Sequence, residues 1–484
     1  MKVKLFLLCA MMLLTCLFGA GCQGENTPKS MGRYEITAEY NPDNGTLAGV
    51  EKFTFENGTQ TALSVLKFQL YPNAYRKDAL YAPVDTSLKE AAYYSGESYG
   101  EMVIYSVHGA KSWEVMGEDE NILYVYLLQP LYPDETVVLD IGFMVKLAKV
   151  NHRTGVTSRT VNLGNFYPIL CPIGREGFIE TVYHSLGEPF VSEIASYSVS
   201  ITLPKEYEVA CSGSLVAERT LESKKVHTYA VDNVRDFALV LCTGYKSLQT
   251  QVGDCTLSYY YYDDRTAEQT LQTAREALEF FSLRFGEYPY STYAVAQTEL
   301  CFDGEEYPCL TLLSHGLTES EKIRAIVRET ANQWWYGVVG SDQVQNAWQD
   351  EGLAEYSALL FFENYEKYER TREQIVQEAL KEYRSYYDVY GSVLGRTDTR
   401  MSRCLNEFIS RYEYLCTVRD KSVIMFDTLR KSVGDKTFFA ALKRYYNENK
   451  YKLVSPEHLI GAFERAGVDA GGYFESFLNG KVVL

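Results

Sequence analysis

AIVRETANQWWYG, residues 325–337, carries the pattern that decides this chain. Ile323, Ile326, Val327, Ala331 and Trp334 recur at helical spacing, so the stretch reads as an amphipathic helix. Thr318 and Glu321 predict a capping box at its start, and Gly337 predicts its stop. Arg328 and Asn332 lie four residues apart and share one face. Glu329 sits about 100° round from Arg328. A second helix, WQDEGLAEYSALLFFENY from Trp348, brings Glu351, and eighteen residues separate it from Asn332.

The chain before this helix pair has a different character. From residue 34 to about 245, YEITAEYNPDNGTLAGVEKFTFEN, LSVLKFQLYPNAY, TVVLDIGFMV and SYSVSITLP alternate apolar and polar residues, with Asp43-Asn44-Gly45 as a turn signal. Short strands of this kind predict a β-sandwich or saddle-shaped sheet domain. CTLSYYYYDD continues as a strand, and AEQTLQTAREALEFFSLRFG is an amphipathic helix stopping at Gly286. SLGEPF and the region before 250 are the candidate linkers; we place the boundary at 247. The expected organisation is 1–21 signal peptide, 22–33 linker, 34–246 β domain and 247–484 mainly helical domain, a multidomain α+β chain.

Composition narrows the function classes. The 484 residues carry 46% hydrophobic and 14% aromatic side chains, enough for large cores. A net charge of -17 argues against nucleic acid, which needs a concentrated cationic face. MKVK followed by LFLLCAMMLLTCLFGAG reads as a secretory signal, and GAGC at 19–22 resembles a bacterial lipobox with Cys22 as the lipidated residue. The expected location is therefore outside the cytoplasm on a bacterial membrane anchor; the plainer alternative is signal cleavage with Cys22 incidental. Eight cysteines follow Cys22 at irregular spacings, which leaves disulfides and buried thiols both open.

The helix pair has the spacing of a gluzincin metal frame: His-Glu-x-x-His, eighteen residues, then Glu on the next helix. There, two imidazoles and a carboxylate hold zinc, and the inner glutamate is general base toward a bound water. RETANQWWYGVVGSD and NAWQDEGLAEYSALLFFE, with FDGEEYP at 302–308, resemble the zinc aminopeptidase family that includes aminopeptidase N. LKFQLYPNAYR, NFYPILCP and VRDFALV are similar to its N-terminal sheet domain, and the likeness runs over about residues 34–480. It implies a β domain followed by a thermolysin-like peptidase domain.

Carried over residue by residue, the resemblance implies that Glu329 stands at the general-base position, Glu351 at the third zinc ligand and Glu306 at the glutamate that holds the substrate amine. Arg328 and Asn332 stand where the two histidine ligands belong, and Arg419 stands at the oxyanion-stabilising tyrosine, with Tyr412 and Tyr414 nearby. Arginine keeps its proton at usable pH and offers zinc no lone pair, and asparagine is a poor ligand beside imidazole. No zinc or other cofactor is expected. Instead, Arg328 and Arg419 are expected to form a guanidinium–carboxylate cluster with Glu329 and Glu351.

Three functional readings stay open at this stage. One is an inactive relative of zinc aminopeptidases whose cleft binds a peptide or protein. Another is an active aminopeptidase with an unusual metal site, Glu329 its base and Glu306 its amine anchor. The third is a structural or assembly protein of the cell surface.

Overall fold

The computed structural model describes residues 32–482. The expected signal peptide, Cys22 and most of the 22–33 linker lie outside the described residues. Among the described residues no helix is long and apolar enough to cross a membrane, and all eight cysteines are free thiols.

The N-terminal part is all β. Strand Gly32–Asn41 buries every second residue, Tyr34, Ile36, Ala38 and Tyr40 among them, as its alternation requires. It turns through Gly45, whose φ of 65° lies in the left-handed region, into Thr46–Glu56. These two strands sit near the centre of a seven-stranded sheet whose only parallel pairing joins Gly32–Asn41 to Ala195–Pro204 among the described residues. Two four-stranded sheets pack beside it; one contains Leu63–Gln69 and Ile122–Leu131, the other Leu239–Thr243 and Thr160–Leu163.

From Lys246 the chain enters a five-stranded mixed sheet in the order Lys246–Val252, Cys255–Tyr261, Thr292–Thr298, Leu310–Ser314, Gly304–Tyr307. Helices Ala267–Phe285, Glu319–Asn332 and Ala347–Asn364 follow, and later Lys421–Val433 and Asp435–Asn449. The architecture is the expected one, a multi-sheet β domain followed by a mainly helical domain. One continuous apolar core runs through both parts, so the two halves are fixed against each other.

Two sequence expectations for the central helix resolve differently. The capping box at Thr318 forms: its hydroxyl accepts from the Glu321 amide, and Glu321 accepts from the Thr318 amide at 2.9 Å. Such a cap is worth about 1 kcal/mol. The stop at Gly337 does not hold. The helix widens after Asn332 into a π turn, Gln333–Val338, that passes through Gly337. Widening frees carbonyls, and Arg235 of the β domain reaches across to accept the cost: its Nε donates to Tyr336 O at 2.7 Å. Trp334 and Trp335 are core residues, with their indole N–H groups satisfied by Gly286 O and Ser357 Oγ.

Candidate functional site

The site forms where the two central helices face each other below the edge strand Gly304–Tyr307. Arg328, Glu329 and Asn332 come from the first helix, one turn before the π widening. Glu351 comes from the first turns of the second helix. That helix is pressed against Lys421–Val433 at Gly352, where an added Cβ would meet Ser422 Oγ at 2.4 Å. The close approach brings the preceding π turn, Leu415–Asp420, into reach, and with it Arg419.

These side chains form the expected cluster. Arg328 pairs with Glu329 and stands 3.6 Å from Glu351 Oε2 and 3.8 Å from Asp303. Arg419 Nη2 donates to Glu351 Oε1 at 2.7 Å. Asn332 turns its amide to Glu329 Oε2 at 3.3 Å. The side chains of Arg328, Glu329 and Glu351 are only 4%, 0% and 4% exposed, so the pairing is shielded from water. Burial and the neighbouring Arg419 oppose the charge of Arg328, yet Glu329, Asp303 and Glu351 outweigh them and hold it above its ordinary range. Burial pushes Glu329 up to about 7 against the pull of Arg328.

Zinc does not fit this donor set. A guanidinium occupies the space between the two carboxylates that a metal would share, and it has no lone pair to offer. Among the described residues no three His, Cys, Asp or Glu side chains form a metal-holding group.

A second charged cluster lies deeper. Glu306 is buried on the edge strand, hydrogen-bonded to Glu188, and it is its neighbour Glu305 that lines the cleft. Glu305 pairs with Arg153, which also donates to Gly187 O at 3.0 Å and lies 3.9 Å from Glu188. Gln343 donates to Glu188 at 3.1 Å. Burial raises Glu305 to about 8 despite Arg153, and burial together with Glu188, Glu329 and Glu305 holds Glu306 well above the carboxylate range. The edge strand is kept close to the helix by Gly304, where a Cβ would stand 3.1 Å from the Glu329 side chain.

The cleft between the clusters is narrow. Its inner cavity has a volume of about 60 Å³, bordered by Glu188, Glu305, Arg328, Glu351, Tyr414 and Arg419 among others. It opens toward an outer cavity of about 370 Å³ through shared walls at Asp303, Arg328, Arg411, Leu415 and Arg419. The inner space has room for a few waters.

Residues 270–477 match the peptidase family M1 domain. This chain carries an M1 peptidase domain. The match accords with the resemblance to zinc aminopeptidases of the aminopeptidase N type over that part of the chain. No curated protein matches the sequence. Among solved structures the chain is similar to an M1 zinc metallopeptidase from Deinococcus radiodurans, with 19% identity and a TM-score of 0.65, over 94% of this chain and 95% of that one. A mutant of that enzyme bound to a Tyr-Ser-Ala substrate gives 19% identity and a TM-score of 0.62 over the same shares. Both are likenesses of fold, and they span the β domain as well as the M1 domain.

Several site residues escaped the sequence reading. Glu188 falls in SLGEPF, a stretch considered as a linker, yet the structure folds it into the cleft. Arg153 lies in a polar loop with no periodic signal. Tyr414 was noted only as lying near Arg419; it is 3% exposed, lines the inner cavity, and its hydroxyl has no hydrogen-bond partner among the described residues. Arg411 lines both cavities.

Proposed function

We propose that this M1-family chain is a metal-free pseudopeptidase that binds a peptide or protein segment in its cleft, carried on the outside of a bacterial membrane by a lipid on Cys22. The observation that carries the reading is the placement of Arg328 between Glu329 and Glu351. A cation is needed there because two carboxylates from different helices converge in a buried space. A guanidinium hydrogen-bonds one and offsets the charge of both without activating water, since it accepts no oxygen lone pair into a coordination shell.

The binding role draws on what the cleft retains. Strand Gly304–Tyr307 is the last strand of its sheet, and an extended peptide can add to such an edge through main-chain hydrogen bonds. The inner acids Glu188 and Glu305 border the cleft and suit a peptide's free amine. The export and anchoring part of the proposal rests on the GAGC sequence alone.

Zinc stoichiometry of the purified protein, measured after equilibration with zinc and buffer exchange, tests the reading. A ratio near zero together with titratable peptide binding supports it. A ratio near one that is lost in Glu351→Ala overturns it and returns the chain to the active aminopeptidases.

A further inference from the structure

Arg411 is a cation that Asp303 and Asp85 offset only from a distance. It is half-buried, it lines both the inner and the outer cavity, and among the described residues its side chain has no hydrogen bond or ion pair. Every other arginine of the outer cavity is engaged with an acid that lies behind the wall. Arg324 donates to Glu355 at 2.7 Å, Arg328 pairs with Glu329, and Arg419 donates to Glu351 at 2.7 Å. None of these three acids borders the outer cavity. The arginines are thereby fixed in place while part of each guanidinium still faces the open space. Arg419 also keeps a spare donor, a buried Nε with no hydrogen-bond partner among the described residues. Tyr414 adds a buried, unpartnered hydroxyl at the junction with the inner cavity.

We infer that the outer cavity, at Arg411 and Arg419, is a carboxylate-binding site that takes an acidic side chain of the bound peptide. The inference rests on the reading of the cleft as a peptide site and names its specificity. Carboxylate chemistry follows from charge and shape. Asp303, Glu382 and Asp420 also border the cavity, and the acids behind the wall take up Arg324, Arg328 and Arg419. Arg411 is the one guanidinium of the wall left to take an anion among the described residues, and a single carboxylate matches it. The planar fork of arginine matches a carboxylate bidentately. Burial, then Arg419 and Arg328, lower Arg411 from its ordinary range against the opposing pull of Asp303 and Asp85. A volume of about 370 Å³ accommodates an Asp or Glu side chain with its attached backbone.

Calorimetric titration at low ionic strength tests this with Ala-Asp-amide, Ala-Asn-amide and succinate. The wild-type protein is expected to bind the Asp peptide about tenfold more tightly than the Asn peptide, with succinate competing weakly. Arg411→Gln is expected to abolish the preference, and Arg411→Lys to restore only part of it, because lysine returns the charge and not the fork. Equal binding of the two peptides overturns the carboxylate site and leaves the peptide cleft standing. Succinate bound in an Arg411-dependent way with neither peptide bound overturns the peptide cleft and supports a site for free acids. No binding of any probe, or a preference unchanged in Arg411→Gln, overturns the carboxylate site.

Discussion

The two halves of the cleft solve one electrostatic problem in different ways. In the outer half, Arg328 and Arg419 stand against Glu329 and Glu351, so cations and carboxylates balance one for one. In the inner half, Arg153 stands alone against Glu188, Glu305 and Glu306. There protons make up the difference: burial drives Glu305 to about 8 and Glu306 well above its ordinary range. Burial is the main reason that Glu329 is pushed to about 7 even with a guanidinium on it, and Glu351 and Glu188, one from each cluster, add to it. The contrast teaches that converging buried carboxylates can keep their arrangement when each receives either a fixed cation or a proton.

The largest test of this contrast changes the outer half back to a metal frame. The triple variant Arg328→His, Asn332→His, Arg419→Tyr removes both guanidinium groups and supplies two imidazoles beside Glu351. Its zinc content is expected to rise from near zero to near one per chain, read by metal analysis after buffer exchange. A folded triple variant that stays zinc-free would show that the halves differ in backbone geometry and not only in donors.

Next in size is Glu351→Ala. It strips the shared partner from Arg328 and Arg419 and leaves two buried cations facing one carboxylate. Denaturant unfolding is expected to show a loss of about 3–5 kcal/mol. A loss under about 1 kcal/mol would mean that the arginines relax to solvent and that the outer balance is dispensable.

The smallest effect belongs to the inner half and depends on pH. Glu305 has a folded-state pKa raised from the ordinary value to about 8. Its contribution is therefore fully present at low pH and is lost as pH rises through about 8. Glu305→Gln keeps an acceptor for Arg153 and removes the titration. The variant is expected to gain on wild type by about 1–2 kcal/mol between about pH 5 and about pH 9, measured as the difference in unfolding free energy. A difference that is flat with pH would contradict the proton-balanced inner half.

Much of the fold was legible in the sequence because local pattern and burial agree there. The alternation of Gly32–Asn41, the stop of the first long helix at Gly286 and the capping box at Thr318 each follow from a few neighbouring residues. The outer cluster was legible too, because a fixed spacing on two helices and the type of residue at each position specify which groups meet. Gly337 misled because the turn around it is held open by Arg235, a residue 102 positions earlier whose role no local pattern encodes. Glu188 and Arg153 were hidden for the same reason: loops have no periodicity, so only the packed β domain brings them to the cleft.

The sequence by itself determined the two-part α+β organisation, the helix pair and the replacement of imidazoles by Arg328 and Asn332, since these are properties of spacing and residue chemistry. Tertiary structure alone decided that Arg328 lies between two carboxylates, that Glu305 and not Glu306 borders the cleft, and that the Arg411 side chain has no ion pair among the described residues. Charge pairing depends on distances between groups far apart in the chain, and those distances exist only once the core has closed.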